Sequence, residues 1–168
     1  MTPQRRWPIV ALALASASLF ALSVQDGAWW TVGEFEVGPF GARGCLAGDC
    51  APRGLRWLGG SELWMRGAIA TAAAGFVAMF VLVALAGAVA AGPPRRARTV
   101  GLGGAARLAA KTSLAAIGTA LVAGAWFVIG FPHFGDAGTH VDRGLVMYAL
   151  AIPLGAIAAV RALRWTSS

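Results

Sequence analysis

The fold of this chain is decided by residues 67–91, GAIATAAAGFVAMFVLVALAGAVAA, which contain neither a charged residue nor a histidine. A helix that crosses the hydrocarbon core of a bilayer needs about 17 to 25 predominantly apolar residues. Three further segments of this kind lie at 7–24, 112–131 and 144–160. They are too long and too evenly apolar for barrel strands, whereas helices satisfy their own backbone hydrogen bonds in lipid. The sequence therefore predicts an all-α membrane protein with a bundle of four transmembrane helices.

The composition agrees with this prediction. The 168 residues are 58% apolar and only 12% charged, and the mean hydropathy is +0.68. A soluble domain carries about 25% charged residues, and a chain of this length cannot hide so much apolar surface in a water-soluble core. We expect a single integral membrane domain over 1–168, with connecting segments at 25–66, 92–111 and 132–143 and a tail at 161–168.

The distribution of charge predicts the topology. Both termini and segment 92–111 carry nine basic residues and no acidic one, whereas segments 25–66 and 132–143 carry five basic and seven acidic residues. Because Lys and Arg concentrate in cytoplasmic loops, we expect a multi-pass protein of the plasma (inner) membrane with both termini cytoplasmic and the acid-containing loops outside. The net charge of +7 then reflects topology and contact with the lipid bilayer, and no nucleic-acid partner is expected.

The first apolar segment allows an alternative. Residues 5–23, RRWPIVALALASASLFALS, have the basic start, apolar middle and small terminal residues of a secretory signal peptide. Cleavage would leave three helices and move the new N-terminus outside. We expect the segment to be retained as the first helix.

The polar segment 25–66 contains both cysteines, Cys45 and Cys50. Outside the cell membrane they would lie in an oxidising compartment, where disulfides persist. Their spacing differs from the CxxC redox motif, and neither a second cysteine pair nor a nearby histidine suggests zinc. A structural disulfide that staples a short loop is therefore predicted, and a pair of reactive thiols is the alternative.

The same segment shows strand periodicity. Residues 34–37 alternate between acidic and apolar side chains, and Gly38 and Pro39 then break the alternation. Residues 55–59, LRWLG, are predicted to return as a second short strand, which gives a small extracellular antiparallel sheet. An isolated hairpin is only marginally stable in water, so its apolar face either caps the protein's own bundle or contacts a partner. The candidate partner-contact residues are Trp29, Trp30, Phe35, Val37, Phe40, Trp57 and Arg66.

These residues resemble the claudin-like tetraspan superfamily. The resemblance rests on four helices, a large first outer loop with strands, Trp29 or Trp30 early in that loop, its two cysteines, and Arg66 at the start of the second helix. The Gly-Leu-Trp that precedes the first cysteine in that family is replaced by GARG, and the gap between the cysteines is shorter. The resemblance implies the tetraspan fold and lateral association. Abundant Ala, Arg and Gly with almost no Lys or Asn indicates a bacterial source with a GC-rich genome.

Stripes of small residues recur along three helices at intervals of four. Such stripes let helix backbones approach closely in lipid, where no hydrophobic effect drives association. Most of them should serve the internal bundle, and any that remained would join subunits of an oligomer. The helix-packing candidates are Gly67, Thr71, Gly75, Ala116, Ala120, Gly124, Ala151, Gly155 and Ala159.

The second outer loop contains His133, Asp136, His140 and Asp142. Histidine and carboxylate are transition-metal ligands, but the spacing matches no metal signature, and a solvated loop needs polar residues in any case. These four residues are therefore weak metal candidates, and no metal or cofactor is expected. Protonation of the histidines is a second hypothesis, which would make the loop pH-sensitive.

The predicted helices lack the charged and histidine residues that mark ion pathways and proton relays. No catalytic triad, carboxylate pair or phosphate-binding loop is evident, so no catalytic residue is assigned and the protein is predicted not to be an enzyme. The first hypothesis is a non-catalytic tetraspan that acts through lateral association and outer-loop contacts with its own copies or with other membrane protein subunits. The alternatives are a homo-oligomeric channel subunit and an accessory subunit of a larger membrane enzyme.

Overall fold

Four long helices dominate the computed structural model, which describes residues 6–25, 27–44, 52–92, 102–132 and 138–167. They are α1 (Trp7–Gln25), α2 (Glu62–Ala91), α3 (Leu102–Ile129) and α4 (Arg143–Ser167). Each is long and apolar enough to cross a membrane. The predicted four-helix membrane architecture is confirmed.

The helices extend beyond the apolar segments. α3 begins at Leu102, ten residues before the segment predicted to span, and α4 continues through the predicted tail to Ser167. Residues 104–111 are rich in alanine, the best helix former, so the helix continues where hydropathy falls. α2 begins at Glu62, where the hydroxyl of Ser61 accepts a hydrogen bond from the backbone N–H of Trp64 (3.2 Å) and caps the helix.

The helices form a closed ring in which α1 packs on α2 and α4, and α3 packs on the same two neighbours. The C-terminus of α1 and the N-terminus of α4 lie at one end, which also carries the strands and is called the sheet end here. Arg6 at the start of α1 and Gly92 after α2 meet at the opposite end, where a Cβ on Gly92 would lie 2.8 Å from the Arg6 guanidinium.

Four short strands form an antiparallel sheet in the order β3-β2-β1-β4. They are β1 (Trp30–Val32), β2 (Phe35–Gly38), β3 (Gly41–Arg43) and β4 (Thr139–Val141). The predicted small sheet is confirmed, but it is not confined to the first loop, because β4 comes from the second loop and pairs Val141 with Trp30.

The predicted second strand at 55–59 is wrong. Residues Leu55–Leu58 form a 3₁₀ helix that ends at Gly59, a left-handed residue with φ of 70°. Local hydrogen bonds from Trp57 N–H to the Gly54 carbonyl and from Gly59 N–H to the Arg56 carbonyl replace sheet pairing. β2 instead pairs with β1 on one side and with β3 on the other, and a turn at Pro39 and Phe40 leads from β2 to β3.

A cluster of aromatic rings joins the sheet to the helices. Trp29 and Trp30 pack on Phe127 of α3, whose ring also stacks on Trp64 at a centroid distance of 5.3 Å. Tyr148 of α4 packs on Trp29 at 4.8 Å. This cluster, called the aromatic core, holds the sheet rigidly on the helix ends. Its members are Phe20, Trp29, Trp30, Trp64, Phe127, Phe131 and Tyr148.

Candidate interaction surface

The structure places three of the predicted partner-contact residues inside the protein. Trp29 and Val37 are fully buried and Trp30 is 5% exposed. The indole N–H of Trp29 donates to the Ser23 carbonyl at 3.1 Å, so its polar atom is also satisfied internally. These side chains cap the protein's own bundle and are not available to a partner.

The helix-packing candidates are likewise buried, and they lie in the seams between helices. Thr71 donates its hydroxyl to the carbonyls of Gly67 (2.7 Å) and Ala123 (2.8 Å), linking α2 to α3. Ser16 of α1 donates to the Ala151 carbonyl of α4 at 2.6 Å. Each of the nine predicted packing residues is therefore buried within the chain.

The seams explain why so many of these residues are glycine. A Cβ on Gly75 would lie 2.7 Å from Val24 Cγ2, and one on Gly155 would lie 2.7 Å from the Ser16 hydroxyl. A Cβ on Gly124 would lie 2.8 Å from the Tyr148 ring. Small residues thus let the backbones of neighbouring helices approach closely.

The face of the sheet that points away from the bundle is polar. In-register pairing places Arg43, Glu36, Thr31 and His140 side by side across the four strands. Neighbouring Cβ atoms in such a row are about 5 Å apart. The alternate residues Trp30, Val37 and Ala42 are buried on the opposite face. The sheet therefore separates the aromatic core from a mixed-charge surface.

Asp142 has a structural role, because its carboxylate links β1 to the start of α4. One carboxylate oxygen accepts from the Thr31 hydroxyl (2.8 Å) and the other from the backbone N–H of Arg143 (2.6 Å) at the start of α4. The Arg143 N–H is the largest cause that lowers the pKa of Asp142, followed by the Thr31 hydroxyl. The negative charge of this carboxylate is also stabilised by the positive end of the α4 helix dipole.

No metal site is formed by the described residues. His140 is exposed on β4, and no group of three potential ligands occurs in the described ranges. His133 and Asp136 lie outside those ranges. The same holds for Cys45 and Cys50, so the disulfide stays a prediction.

An exposed aromatic surface lies beside the sheet, at the 3₁₀ helix. Trp57 is 43% exposed, and its ring packs against Phe35 at a centroid distance of 4.9 Å. The Arg53 guanidinium lies 4.8 Å from the centre of the same ring, which is a cation–π contact. We call Phe35, Arg53, Arg56 and Trp57 the Trp57 patch.

Arg66 lies one helical turn after Glu62, and the two form an exposed ion pair with an N···O distance of 3.7 Å. Their side chains are 73% and 72% exposed, so this pair contributes little to stability. Leu63, between them in sequence, is 62% exposed. Arg66 is thus accessible at the start of α2, as a partner contact would require.

A cleft of about 140 Å³ opens between the end of α1 and the β2–β3 turn. Among the described residues, the charged lining consists of Glu36, Arg43 and Arg53, and Gln25 of α1 adds an amide. Phe40 at the turn borders the cleft, is 63% exposed and lies 6.2 Å from the ring of Phe76 on α2.

Sequence reasoning missed several residues that organise this end of the molecule. Trp64 of the predicted loop 25–66 and Tyr148 of the predicted fourth helix were not expected to hold the helices together. The indole N–H of Trp64 donates to the Phe127 carbonyl (3.1 Å), and the Tyr148 hydroxyl donates to the Ala120 carbonyl (2.9 Å). An isolated Tyr in a predicted helix is the signal that could have found Tyr148. Arg53 was also missed as the partner of Trp57.

Comparison with known proteins gives no relative from which a function could be transferred. No protein-family model matches the chain, and no curated protein matches it.

Proposed function

We propose that this protein is a non-catalytic tetraspan that binds a partner protein through the Trp57 patch at its sheet end. The observation that carries the proposal is the exposed Trp57 ring, which contacts Phe35 and Arg53, while all nine helix-packing residues are buried. Trp and Arg are enriched among the residues that dominate binding energy at protein interfaces. These two contacts restrict the Trp57 ring before binding, which would lower the entropy lost when a partner binds.

The chemistry of the patch indicates the character of the partner. Arg53 and the exposed Arg56 give it positive charge beside an aromatic surface. An interface that covers it should present an apolar side chain to Trp57 and a carboxylate to the arginines, as complementary potentials require. Arg66 and Leu63 would extend the same contact along the start of α2.

The proposal includes the topology expected from charge. The sheet end would lie outside the plasma (inner) membrane and both termini in the cytoplasm, because the basic residues concentrate at the opposite end. The sheet end would then meet extracellular or periplasmic domains. The bilayer and other membrane protein subunits, self or hetero, are the proposed partners.

The resemblance to claudin-like tetraspans supports this proposal at the level of architecture, through the four helices and the sheet beside them. Lateral association through the stripes of small residues is less favoured than binding through the Trp57 patch, because the stripe residues are buried within the bundle. A homo-oligomeric channel or an accessory subunit of a membrane enzyme would also need the exposed surface for assembly, so both are outcomes of the same experiment.

The experiment measures the mass of the assembly extracted in mild detergent and identifies every protein that co-purifies. Trp57→Ala is compared with wild type, and Trp7→Ala is the matched control, because Trp7 is 55% exposed at the opposite end. Removal of a tryptophan at the centre of an interface costs about 2 kcal/mol or more, roughly a thirtyfold loss of affinity. We expect Trp57→Ala to lose the partner and Trp7→Ala to retain it.

A homo-oligomer lost in Trp57→Ala would identify self-association, and conductance in liposomes would then separate a channel from a non-conducting assembly. A cofactor-bearing complex lost in the same variant would identify an accessory subunit. A wild-type monomer with no co-purifying protein, or equal retention by both variants, would contradict the proposal.

A further inference from the structure

We propose that the cleft between α1 and the β2–β3 turn binds the headgroup of an amine-bearing phospholipid from the leaflet at the sheet end. This inference does not rest on the proposed function: the cleft shares Arg53 with the Trp57 patch, but the exposed Trp57 ring does not line it. It follows from the position of the cleft along the bundle, its charges and the aromatic residue at its mouth.

The position of the cleft is set by α1. A 19-residue helix is about 28 Å long, which matches the hydrocarbon thickness of about 30 Å. The last residues of α1, Val24 and Gln25, line the cleft, so it lies where the hydrocarbon core gives way to headgroups. Trp7 marks the other boundary, with Arg6 over its ring at 5.3 Å.

Phe40 lies at the same depth. Gly75 of α2 approaches Val24 so closely that a Cβ there would be 2.7 Å from Val24 Cγ2. Phe76 follows Gly75, and its ring is 6.2 Å from that of Phe40. The exposed Phe40 ring thus lies beside the last turn of α1, at the boundary where aromatic side chains anchor proteins in lipid.

Below Phe40, the surface of α2 continues apolar. Val77, Phe80 and Val83 are all largely exposed on the helix, at 53%, 65% and 47%. An acyl chain that leaves the cleft past Phe40 would therefore run along lipid-facing side chains. This continuity between a polar cleft and an apolar helix surface fits a phospholipid better than a soluble phosphate compound.

The charges in the cleft select the headgroup. Glu36 and Arg43 are directly opposed on β2 and β3, and Arg53 lines the same cleft. The guanidinium group of arginine forms bidentate hydrogen bonds to phosphate oxygens, and a carboxylate forms an ion pair with an ammonium group. A headgroup that carries a phosphodiester and a primary ammonium, as in phosphatidylethanolamine, matches both. Phosphatidylglycerol offers the same phosphodiester without the ammonium.

The test titrates the delipidated full-length protein in mild detergent with dioleoyl phosphatidylethanolamine or dioleoyl phosphatidylglycerol and counts bound lipid by native mass spectrometry. Arg43→Gln should weaken both lipids by about fivefold, the effect of one basic residue near a membrane surface. Glu36→Gln should weaken the ethanolamine lipid alone, by about threefold. The matched controls are Arg56→Gln and Glu34→Gln, exposed residues that do not line the cleft, and both should bind as wild type.

Two further experiments distinguish a phospholipid headgroup from a soluble phosphate ester as the ligand of the cleft. Phe40→Ser should weaken both lipids, because it removes the contact at the acyl boundary, and soluble phosphoethanolamine should not compete. Competition by phosphoethanolamine at concentrations equal to the lipid would assign the cleft to a soluble phosphate ester and overturn the proposal. Equal behaviour of Glu36→Gln and Glu34→Gln would overturn the headgroup assignment, even if Arg43→Gln failed to fold.

Discussion

Gly144 is the position at which the start of α4 meets the chain that leaves α1, and replacing it with alanine should separate them. A Cβ on Gly144 would lie 2.5 Å from the Ala28 carbonyl oxygen, 2.6 Å from the Gly27 carbonyl carbon and 2.7 Å from the Gly27 oxygen. The reverse approach is as close, since a Cβ on Gly27 would lie 2.7 Å from Gly144 Cα. All of these neighbours are backbone atoms, so no side chain can rotate away.

The magnitude follows from the displacement that is needed. Ordinary van der Waals contact begins at 3.4 Å, so the two backbone segments must move apart by about 0.9 Å. That movement stretches the hydrogen bond from the Gly144 N–H to the Ala28 carbonyl, now 2.7 Å. Forcing one extra methyl group into a packed site costs about 1–3 kcal/mol, and we expect Gly144→Ala to fall at the upper end because the obstruction is backbone.

The assay is reversible unfolding in mixed micelles, followed by tryptophan fluorescence, because Trp29 lies directly after the affected segment. Gly118→Ala is the matched control: Gly118 lies within α3, and a Cβ there would meet nothing within 4 Å. Alanine in a helix interior is favoured over glycine by up to about 1 kcal/mol, so the control should be neutral or stabilised. Equal stabilities for the two variants would refute the reasoning, since they share the same chemical change.

Two other predictions concern hydrogen bonds at the sheet end. Asp142→Ala should destabilise the protein at neutral pH by about 1 kcal/mol, the usual cost of losing a helix cap. Because the folded pKa of Asp142 is lowered from 3.8, the stability that its charge contributes is present above pH 3.8 and is lost as the pH falls through the folded pKa. The difference in free energy of unfolding between wild type and variant should therefore shrink as the pH falls below 3.8. A difference that stays constant with pH would contradict this prediction. Tyr148→Phe should cost about 1 kcal/mol in the same unfolding assay by removing the hydroxyl that donates to the Ala120 carbonyl, and an unchanged stability would show that this bond contributes nothing.

The four helices could be predicted because a bilayer imposes a length of apolar sequence that few other structures need. Their ends could not, since α3 begins in an alanine-rich segment that carries Arg107 and Lys111, where hydropathy is low but helix propensity is high. Hydropathy indicates whether a residue lies in lipid or in water, whereas helix propensity indicates whether its backbone can be helical. The apolar segment and the helix therefore end at different residues.

The sheet shows a different limit. The alternation in 34–37 predicted β2 correctly, but β4 is only three residues long and all three are exposed, so it carries no periodic signal. Its pairing with β1 depends on where α3 and α4 bring the second loop, which is a property of the tertiary structure. The 3₁₀ helix at 55–58 was mistaken for a strand because four residues are too few to separate the two periods.

Whether each contact residue faces the bundle or the surface could not be predicted from the sequence either. Trp29 and Trp57 are both loop tryptophans next to apolar residues, yet one is fully buried and the other is 43% exposed. What separates them is the position of Phe127 and Tyr148, which lie about 100 residues further along the chain and pack on Trp29, whereas Trp57 contacts Phe35 and Arg53.

The pairing of Trp30 with Val141 has a consequence for the synthesis of the protein. The two residues are 111 positions apart, and a ribosome adds about 5–20 residues per second, so β1 would wait roughly 5 to 20 s for its second neighbour. During that interval two helices, α2 and α3, must enter the membrane while the Trp30 edge of the hairpin remains open. Open strand edges are templates for wrong pairing, so a chain that stalls before residue 139 would present such a template at the membrane surface.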